Sequence, residues 1–357
     1  MLGLAGLLGM LAMGIFADLG GSDQEELPPE SDESGEGAWG ADEMDEATPG
    51  SMLDYVLGEA DPPSADADQA PDTVDVEEAG LALEGTDGQD ILSGLEGDDT
   101  IDGQGADDQI NGRAGDDSIS GGAGNDWLVG EGGADTLMGE AGRDTLVGGE
   151  DGDQLRGGAE DDLLEGQNGD DLLIGGAGND VLIGGAGADS LLAGAGDDAL
   201  QGSGGADSLV GGLGADTLDG GDGNDLILGG SAFDPFAAEA GESDGVDYLN
   251  GGAGDDLLVL GALDHATGGA GADIFAFGEW GASGPAMIHD YDPAEDELVL
   301  VYDPALHPDP LLSIEPGGED GSVYLSLDGA RLAEVANGEG LSPEDVTLRV
   351  LNNPQAA

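Results

Sequence analysis

The chain has 357 residues, and its 80 Asp and Glu side chains against 5 Arg and no Lys give a formal net charge of −75. Contact with nucleic-acid phosphates needs Lys and Arg, so this charge argues against a nucleic-acid partner. The chain has no Cys, which excludes disulfides, thiolate metal sites and Cys nucleophiles. Cations are the natural partners of a chain this acidic.

Residues 1–17 carry no charged side chain and consist mostly of Leu, Ala, Gly and Met. As a helix they would span about 25 Å, at the short edge for a bilayer core. A secretory signal normally has a basic n-region, which this segment lacks. Three interpretations stay open: a membrane anchor, an atypical secretion signal, and an apolar N-terminus with no membrane role.

Residues 18–83 form an acidic stretch interrupted by Pro. Between residues 18 and 80 there are 21 acidic residues and no basic one. High charge with few apolar residues is typical of chains that cannot build a core. We therefore predict a disordered, self-repelling linker.

From about residue 84 the sequence repeats every nine residues, with an Ile or Leu two positions after almost every periodic Asp and a Gly five positions before it. The register breaks at residues 231–243, which indicates an inserted loop, and then resumes. The periodic aspartates are Asp90, Asp99, Asp108, Asp117, Asp126, Asp135, Asp144, Asp153, Asp162, Asp171, Asp180, Asp189, Asp198, Asp207, Asp216, Asp225, Asp247, Asp256 and Asp273.

The unit reads G-G-x-G-x-D-x-U-x, with U a large aliphatic residue, as in residues 121–129 and 175–183. Over residues 84–277 it resembles the hemolysin-type (RTX) calcium-binding nonapeptide repeat. The resemblance implies an all-β parallel β-roll of two sheets, in which a coil takes eighteen residues. It also implies many bound Ca²⁺ ions and a type I export machinery. That machinery would read an uncleaved C-terminal signal, for which residues 345–357 are the place.

Elementary electrostatics leads to the same cation. If a coil takes eighteen residues, Asp90 stacks on Asp108, and Asp99 stacks on Asp117 along the other edge. Carboxylates about 4.8 Å apart repel by roughly 3 kcal/mol at an effective dielectric of 20. Ca²⁺ accepts carboxylate and carbonyl oxygens in flexible geometry, whereas Mg²⁺ demands an octahedron and Zn²⁺ prefers His and Cys. All the periodic aspartates are therefore predicted Ca²⁺ ligands, with on the order of ten to fourteen sites before the inserted loop.

Other repeat positions carry weaker signals. The Gly at the fourth position of the unit is replaced at Ala106, Asp151 and Glu160, which predicts weaker sites in those turns. The acidic residues at the fifth position are interpreted as outward solubility charges rather than ligands. They are Asp98, Asp107, Asp116, Asp161, Asp170 and Asp197.

Between residues 163 and 192 the outward positions become apolar. This pattern fits packing beneath the C-terminal strands or ordinary β-propensity, and alternatively a surface for weak self-association. The residues are Leu172, Ile174, Val181, Ile183 and Leu192.

Residues 278–357 are predicted to form a small β-rich region, with strands at 298–302, 323–327, 331–335 and 346–351. His265, His289 and His307 look isolated and share no metal-ligand spacing. No H-E-x-x-H or G-x-S-x-G motif is present, so no enzyme activity is predicted. A carrier role in a secreted enzyme would need a catalytic group such as His289 with Asp290 and Asp292.

These observations favour a bacterial calcium-binding protein that is secreted or displayed on the cell surface. Its roll would fold on Ca²⁺ after export, because binding energy becomes folding energy where ligands meet only on folding. Two alternatives stay open: a surface adhesin or matrix component, and the carrier part of a secreted enzyme.

Overall fold

The computed structural model describes residues 80–230, 245–278, 284–318 and 321–350. The predicted apolar segment 1–17, the predicted linker as far as residue 79 and the predicted loop 231–243 lie outside these ranges. Residues 351–357, part of the predicted export signal, also lie outside them. Within the described ranges, no helix combines the length and the apolar character needed to cross a bilayer.

The described chain is made almost entirely of short β-strands. In chain order these are β1 (Ala82–Thr86), β2 (Ile91–Ser93), β3 (Thr100–Gln104), β4 (Gln109–Ala114), β5 (Ser118–Ala123), β6 (Trp127–Gly132), β7 (Thr136–Ala141), β8 (Thr145–Glu150), β9 (Gln154–Ala159), β10 (Leu163–Asn168), β11 (Leu172–Ala177), β12 (Val181–Ala186), β13 (Ser190–Ala195), β14 (Ala199–Gly204), β15 (Ser208–Leu213), β16 (Thr217–Asp222), β17 (Leu226–Gly230), β18 (Tyr248–Ala253), β19 (Leu257–Leu260), β20 (His265–Ala270), β21 (Ile274–Gly278), β22 (Ala286–Ile288), β23 (Glu297–Tyr302), β24 (Leu312–Pro316), β25 (Val323–Leu327), β26 (Ala330–Val335) and β27 (Val346–Val350). A single 3₁₀ turn, Pro343–Asp345, precedes β27 in the described part of the chain.

Consecutive strands alternate between two sheets. The odd-numbered strands from β1 to β23, followed by β27, form sheet A, and the even-numbered strands from β2 to β22, followed by β26, β25 and β24, form sheet B. Neighbours in the repeats are parallel and eighteen residues apart, as in the pair Leu164 and Leu182. The predicted all-β parallel β-roll is therefore confirmed.

The aliphatic residue of each unit faces the space between the sheets, because side chains alternate along a strand. Leu128, Leu146 and Leu164 follow one another in sheet B and are fully buried. A buried Leu contributes about 1.5–3 kcal/mol relative to an exposed one. The core is thus a narrow double column with one large side chain per nine residues.

The parallel pairing of neighbouring strands is kept across one insertion and one deletion in the sequence. Thr217 pairs with Tyr248, 31 positions later rather than eighteen, so the sheet absorbs thirteen extra residues outside its strands. Tyr248 then pairs with His265, seventeen positions later, so the next coil is one residue shorter. Parallel pairing tolerates both changes because the strands on either side keep the same partners in register.

The turns need left-handed backbone at the second and fourth positions of the unit. In a complete unit these are Gly122, at φ 105°, and Gly124, at φ 137°. Where the fourth Gly is replaced the backbone still adopts positive φ, at Ala106 (71°), Asp151 (72°) and Glu160 (78°). This conformation costs an L-residue roughly 1–2 kcal/mol. The turn shape is therefore kept at these positions at the expense of local strain.

The C-terminal region continues both sheets beyond the repeats. β23 pairs with β21 and then with β27, while β26 pairs with β22, all in parallel. β24 and β25 form an antiparallel hairpin that ends sheet B. The four predicted strands are found within one residue of their expected starts, and β22 and β24 are additional. At the other end, β1 begins at Ala82, two residues before the predicted start of the repeats.

The apolar outward residues do not form the single surface that the sequence suggested. Leu172, Ile174 and Leu192 lie on sheet A, whereas Val181 and Ile183 lie on sheet B. The alternation of strands separates residues that are nine positions apart. On sheet A the outward stripe instead runs from Ile174 through Leu192 to Val210, which are direct neighbours across the strands.

Replacing Ala106 by Gly should raise the free energy of unfolding of the calcium-loaded protein by about 0.5–1 kcal/mol. The strain of a left-handed Ala is removed, and part of the gain is offset by the greater freedom of Gly in the unfolded chain. Denaturant unfolding followed by circular dichroism measures the change. The matched control is Gly124→Ala one coil later, where a Cβ would press on the carbonyl oxygen of Ala106 and should destabilise. Changes of the same sign in both variants would contradict the prediction.

Candidate metal centre

The periodic aspartates form two columns, one along each edge of the roll. The first ladder contains Asp90, Asp108, Asp126, Asp144, Asp162, Asp180, Asp198, Asp216 and Asp247. The second ladder contains Asp99, Asp117, Asp135, Asp153, Asp171, Asp189, Asp207, Asp225, Asp256 and Asp273. The structure thus brings every predicted ligand into one of two stacks.

One repeated hydrogen bond joins the members of each ladder. The backbone N–H of Asp108 donates to Oδ1 of Asp126 at 2.8 Å, and that of Asp117 donates to Oδ1 of Asp135 at 2.7 Å. The same bond spans the insertion, from Asp216 N–H to Oδ1 of Asp247 at 2.9 Å. Each carboxylate is therefore oriented by the backbone of the preceding coil.

The second oxygen of these carboxylates is buried. In fourteen ladder residues Oδ2 is inaccessible to solvent and has no hydrogen-bond partner among the described residues. A buried, unpaired carboxylate oxygen carries a large desolvation cost unless a proton or a cation meets it. The fourteen are Asp108, Asp117, Asp126, Asp135, Asp144, Asp153, Asp162, Asp171, Asp180, Asp189, Asp198, Asp207, Asp225 and Asp256.

The first Gly of each turn leaves open the space into which Oδ2 points. A Cβ added at Gly103 would lie 2.5 Å from Oδ2 of Asp108 and 2.7 Å from the carbonyl oxygen of Gly121. Carboxylate and carbonyl oxygens from successive coils therefore approach the same point. Such an all-oxygen donor set suits Ca²⁺, which accepts backbone carbonyls as readily as carboxylates.

Side chains alone do not complete a metal site. Across the described ranges, no group of three or more His, Asp or Glu side chains is arranged to hold a metal ion. A Ca²⁺ ion here would take one or two ladder carboxylates together with carbonyls of the turns. That composition fits calcium and disfavours zinc, which takes His, Cys and carboxylate side chains.

Burial raises the pKa of most ladder carboxyls from Asp108 onward. It raises the pKa values of Asp135, Asp153 and Asp162 to about 7, although the N–H of the preceding ladder residue offsets part of the rise. Repulsion from neighbouring ladder carboxylates adds to it. When no cation is bound, burial and the repulsion between neighbouring carboxylates both make ionisation of the ladder less favourable.

Each ladder has a terminal member that the sequence did not predict. Asp264 accepts the N–H of Asp247 at 3.2 Å, and Asp296 accepts that of Asp273 at 3.1 Å. Asp264 was missed because it falls at a spacing of seventeen and is followed by Ala266 rather than Ile or Leu. Asp296 lies 23 positions after Asp273, but the Leu298 that follows it keeps the D-x-U signal.

The fifth-position acids are exposed, as expected for outward charges, and they also have a structural contact. Oδ1 of Asp98 accepts the N–H of Asp116, and Oδ1 of Asp107 accepts that of Asn125, at 3.0 and 2.9 Å. Equivalent bonds run from Ala188 to Asp170 and from other pairs eighteen positions apart. These side chains therefore link the turns from outside, parallel to the ladders.

Two of the histidines predicted to be isolated are in contact. Nδ1 of His265 lies 2.9 Å from Nε2 of His289, and their rings stack, with Tyr248 stacked on the other side of His265. The spacing of 24 residues gave no signal, because only the pairing of β20 with β22 brings these positions together. His307 instead contacts Asp328.

The repeats match a known family of sequences, described as the RTX calcium-binding nonapeptide repeat. The matched residues are 84–119, 112–146, 147–182, 165–200, 174–209, 201–234 and 243–262. They include the ladder positions from Asp90 to Asp256.

Solved structures that are similar to part of the chain include the solution structure of the AlgE6R3 subunit of a mannuronan C5-epimerase from Azotobacter vinelandii, at 24% identity and a TM-score of 0.16. The similarity covers 42% of this chain and 81% of that chain. No curated protein matches the chain.

The calcium-free roll should be stabilised by acid. Because the folded pKa values lie above the ordinary Asp value of 3.8, protonation favours the folded state. The stabilisation that protonated ladder carboxyls give to the folded state is fully present below about pH 4 and is lost as the pH rises through about 7. The far-UV circular dichroism of metal-stripped protein measures it, as a β-signal that grows when the pH is lowered from about 7 to about 4.

The variant Asp135→Asn separates this effect from the general charge of the chain. Asn cannot ionise, so the β-signal of the metal-free variant should appear at a higher pH than that of the unmodified chain. Asp161→Asn, at an exposed fifth position, is the control and should have little effect. A metal-free protein whose stability increased from about pH 4 to 7 would contradict the assignment of buried, ionisable ladders.

Proposed function

Because this chain is a calcium-binding RTX β-roll repeat protein, we propose that it works outside the cell as a non-enzymatic structural protein whose roll folds when calcium binds. The observation that carries this proposal is the row of buried Oδ2 atoms that lack hydrogen-bond partners in the described ranges. Stacked carboxylates of this kind make folding depend on cations.

Each part of the repeat has a separate task in this process. The backbone N–H of one coil orients the carboxylate of the next through Oδ1, as between Asp108 and Asp126. The first Gly of the turn keeps the space beside Oδ2 open, as at Gly103. Bound Ca²⁺ supplies positive charge and accepts the converging oxygens. Since these oxygens meet only when coils stack, the energy of binding becomes energy of folding.

The extracellular setting is supported by the affinity expected of such sites. RTX repeat proteins are typically secreted. Extracellular calcium modules have Kd values of about 10⁻⁴–10⁻³ M, so they stay empty at cytoplasmic calcium levels and fill outside the cell. An unfolded chain suits passage through a type I export machinery, which belongs to this proposal. Anchoring through residues 1–17 remains a prediction.

The absence of catalysis is part of the proposal and is supported by the contacts of the candidate residues. The two oxygens of Asp290 accept the backbone N–H groups of Gly268 and Gly269 at 2.9 and 2.8 Å. Oδ1 of Asp292 accepts the N–H of Ala294, and His289 contacts His265. These bonds hold loops in place, which fits structural roles for all three side chains.

An adhesin or matrix role is the second candidate. The sequence leaves this role open, and the outward row of Ile174, Leu192 and Val210 on sheet A does not supply its contact surface, because Leu192 and Val210 are already buried. Weak self-association remains a prediction.

The calcium dependence of folding can be measured on the full-length chain. Far-UV circular dichroism should show little β-structure in chelator at neutral pH and a strong β-signal in millimolar calcium. Magnesium at the same concentration should be a poor substitute, because it demands octahedral geometry and keeps its waters. Equal β-signals in chelator and in calcium would refute coupled folding.

The variant Asp180→Asn tests the role of a single ladder member. Asn keeps the acceptor for the N–H of Asp162 but removes the charge that faces the turn. Loss of one site should cost about 1.4 kcal/mol of unfolding free energy at a calcium concentration about ten times its Kd. Calcium titration followed by circular dichroism measures the shift. The exposed Asp170→Asn is the control, and an equal shift in both variants would argue against the ladder as the calcium site.

A further inference from the structure

The fold brings together two of the three histidines of a chain that has no Cys. Nδ1 of His265, the first residue of β20, lies 2.9 Å from Nε2 of His289, which directly follows β22. The third histidine, His307, contacts Asp328 instead. All three lie in the described ranges, so His265 and His289 form the one place in this chain where two imidazole nitrogens meet.

The pair lies on the outward face of sheet B, at the junction between the repeats and the C-terminal region. β20 pairs with β22 through His265 with Met287 and through Ala266 with Ile288. Ala266 and Ile288 are buried in the core, so the residues that alternate with them face outwards. His265 is half-buried and His289 is exposed. An ion in solution can therefore reach both rings.

The separation of the two nitrogens matches a pair of ligands on one metal ion. With metal–nitrogen bonds of about 2.0–2.1 Å, two imidazole nitrogens at a right angle around an ion lie about 2.8–3.0 Å apart. The observed distance of 2.9 Å falls in this range. Square-planar and tetragonal coordination, which place ligands at right angles, are typical of Cu²⁺ and Ni²⁺. Because His289 is exposed, its ring has room to turn until both lone pairs point at the ion.

The same distance allows an N–H to N hydrogen bond in the metal-free chain. One of the facing nitrogens then carries a hydrogen, and the other accepts it. When a metal ion enters, the donating ring carries its hydrogen on its other nitrogen, which is a change of tautomer with no net loss of a proton. Both facing nitrogens then bind the ion through their lone pairs.

The donors of this pair differ from those of the ladders. The ladders offer carboxylate and carbonyl oxygens, which suit a hard cation such as Ca²⁺. Here the facing atoms are imidazole nitrogens, and a residue with a thioether, Met287, lies directly beside His265 on the same face. Imidazole suits Cu, Ni and Zn, thioethers suit copper, and affinity along the first-row series is highest for Cu²⁺.

The surroundings of the pair favour a cation without adding carboxylate ligands. Asp264 precedes His265, and Asp290 follows His289, in a chain with a formal charge of −75. Both oxygens of Asp290 already accept backbone N–H groups, from Gly268 and Gly269. Two histidines without a third His, Asp or Glu agree with the donor groups found in the described ranges. The remaining positions on the ion would be filled by water.

We propose that His265 and His289 bind one transition-metal ion, Cu²⁺ most tightly, through Nδ1 and Nε2, and that this ion clamps β20 to β22. The two strands share two residue pairs, so the ion strengthens a short connection between the last coils of the repeats and the C-terminal region. The site uses different donors and a different class of ion from the calcium ladders.

Electron paramagnetic resonance of the full-length chain with equimolar Cu²⁺ tests the proposal. Calcium in the millimolar range is kept present so that the ladder carboxylates are occupied. The spectrum should show splitting from two imidazole nitrogens, which carboxylate ligands cannot give. His265→Ala and His289→Ala should each remove this signature and weaken Cu²⁺ binding about a hundredfold, because a tethered second ligand is lost. Competition with a chelator of known affinity measures the change, and His307→Ala is the control.

The clamp itself is tested by heating the calcium-loaded chain with and without Cu²⁺. The ion should raise the Tm of the unmodified chain and of His307→Ala, but not that of His289→Ala. The calcium-induced β-signal should be the same in all these proteins, because His289 lies on the surface. A failure of the proposed function would instead abolish that signal in the unmodified chain.

Three outcomes would overturn the proposal. A copper spectrum without two imidazole nitrogens would leave the contact between His265 and His289 as a hydrogen bond only. Binding that His289→Ala leaves unchanged, or that His307→Ala weakens equally, would place the copper elsewhere on the chain. Binding at the pair that leaves the Tm unchanged would remove the clamp.

Discussion

The main obstacle to forming this roll is the electrostatic repulsion between carboxylates that stack one above another. A coil of eighteen residues places Asp108 above Asp126, at the spacing of adjacent strands, about 4.8 Å. Like charges at that distance oppose stacking, and burial in the turn makes the cost greater. Under the proposed function, the fold is stable only where each pair is neutralised, so the conditions that neutralise the ladders also decide whether the roll forms.

The repeat resolves this repulsion by giving the two carboxylate oxygens different partners. Oδ1 of each ladder aspartate is bound to the backbone of the preceding coil, and that bond continues through an insertion of thirteen residues. Oδ2 is left facing turn carbonyls, in space that the first Gly of the turn keeps open, as at Gly103. The backbone thus sets the direction of the charge, and the cation site follows from the register of the sheet.

The core is too narrow to replace this interaction. Each unit buries one large aliphatic side chain, such as Leu164 or Leu182, for nine residues that must be ordered. The C-terminal region differs, because Val299, Leu300 and Val301 of β23 are all buried. The end of the roll therefore relies on ordinary packing, whereas its middle relies on charge neutralisation.

The sequence by itself determined the roll, the inward column and the nineteen periodic members of the two ladders, because a strict period of nine fixes the coil and the edge on which each residue lies. It also located the C-terminal strands β23, β25, β26 and β27. Only the tertiary structure decided where the period fails. Asp264 and Asp296 join the ladders, His265 meets His289, and Ile174 and Ile183 separate onto opposite sheets. In each case the deciding factor is which strands pair, since contacts across a sheet link positions whose separation changes whenever a turn gains or loses residues.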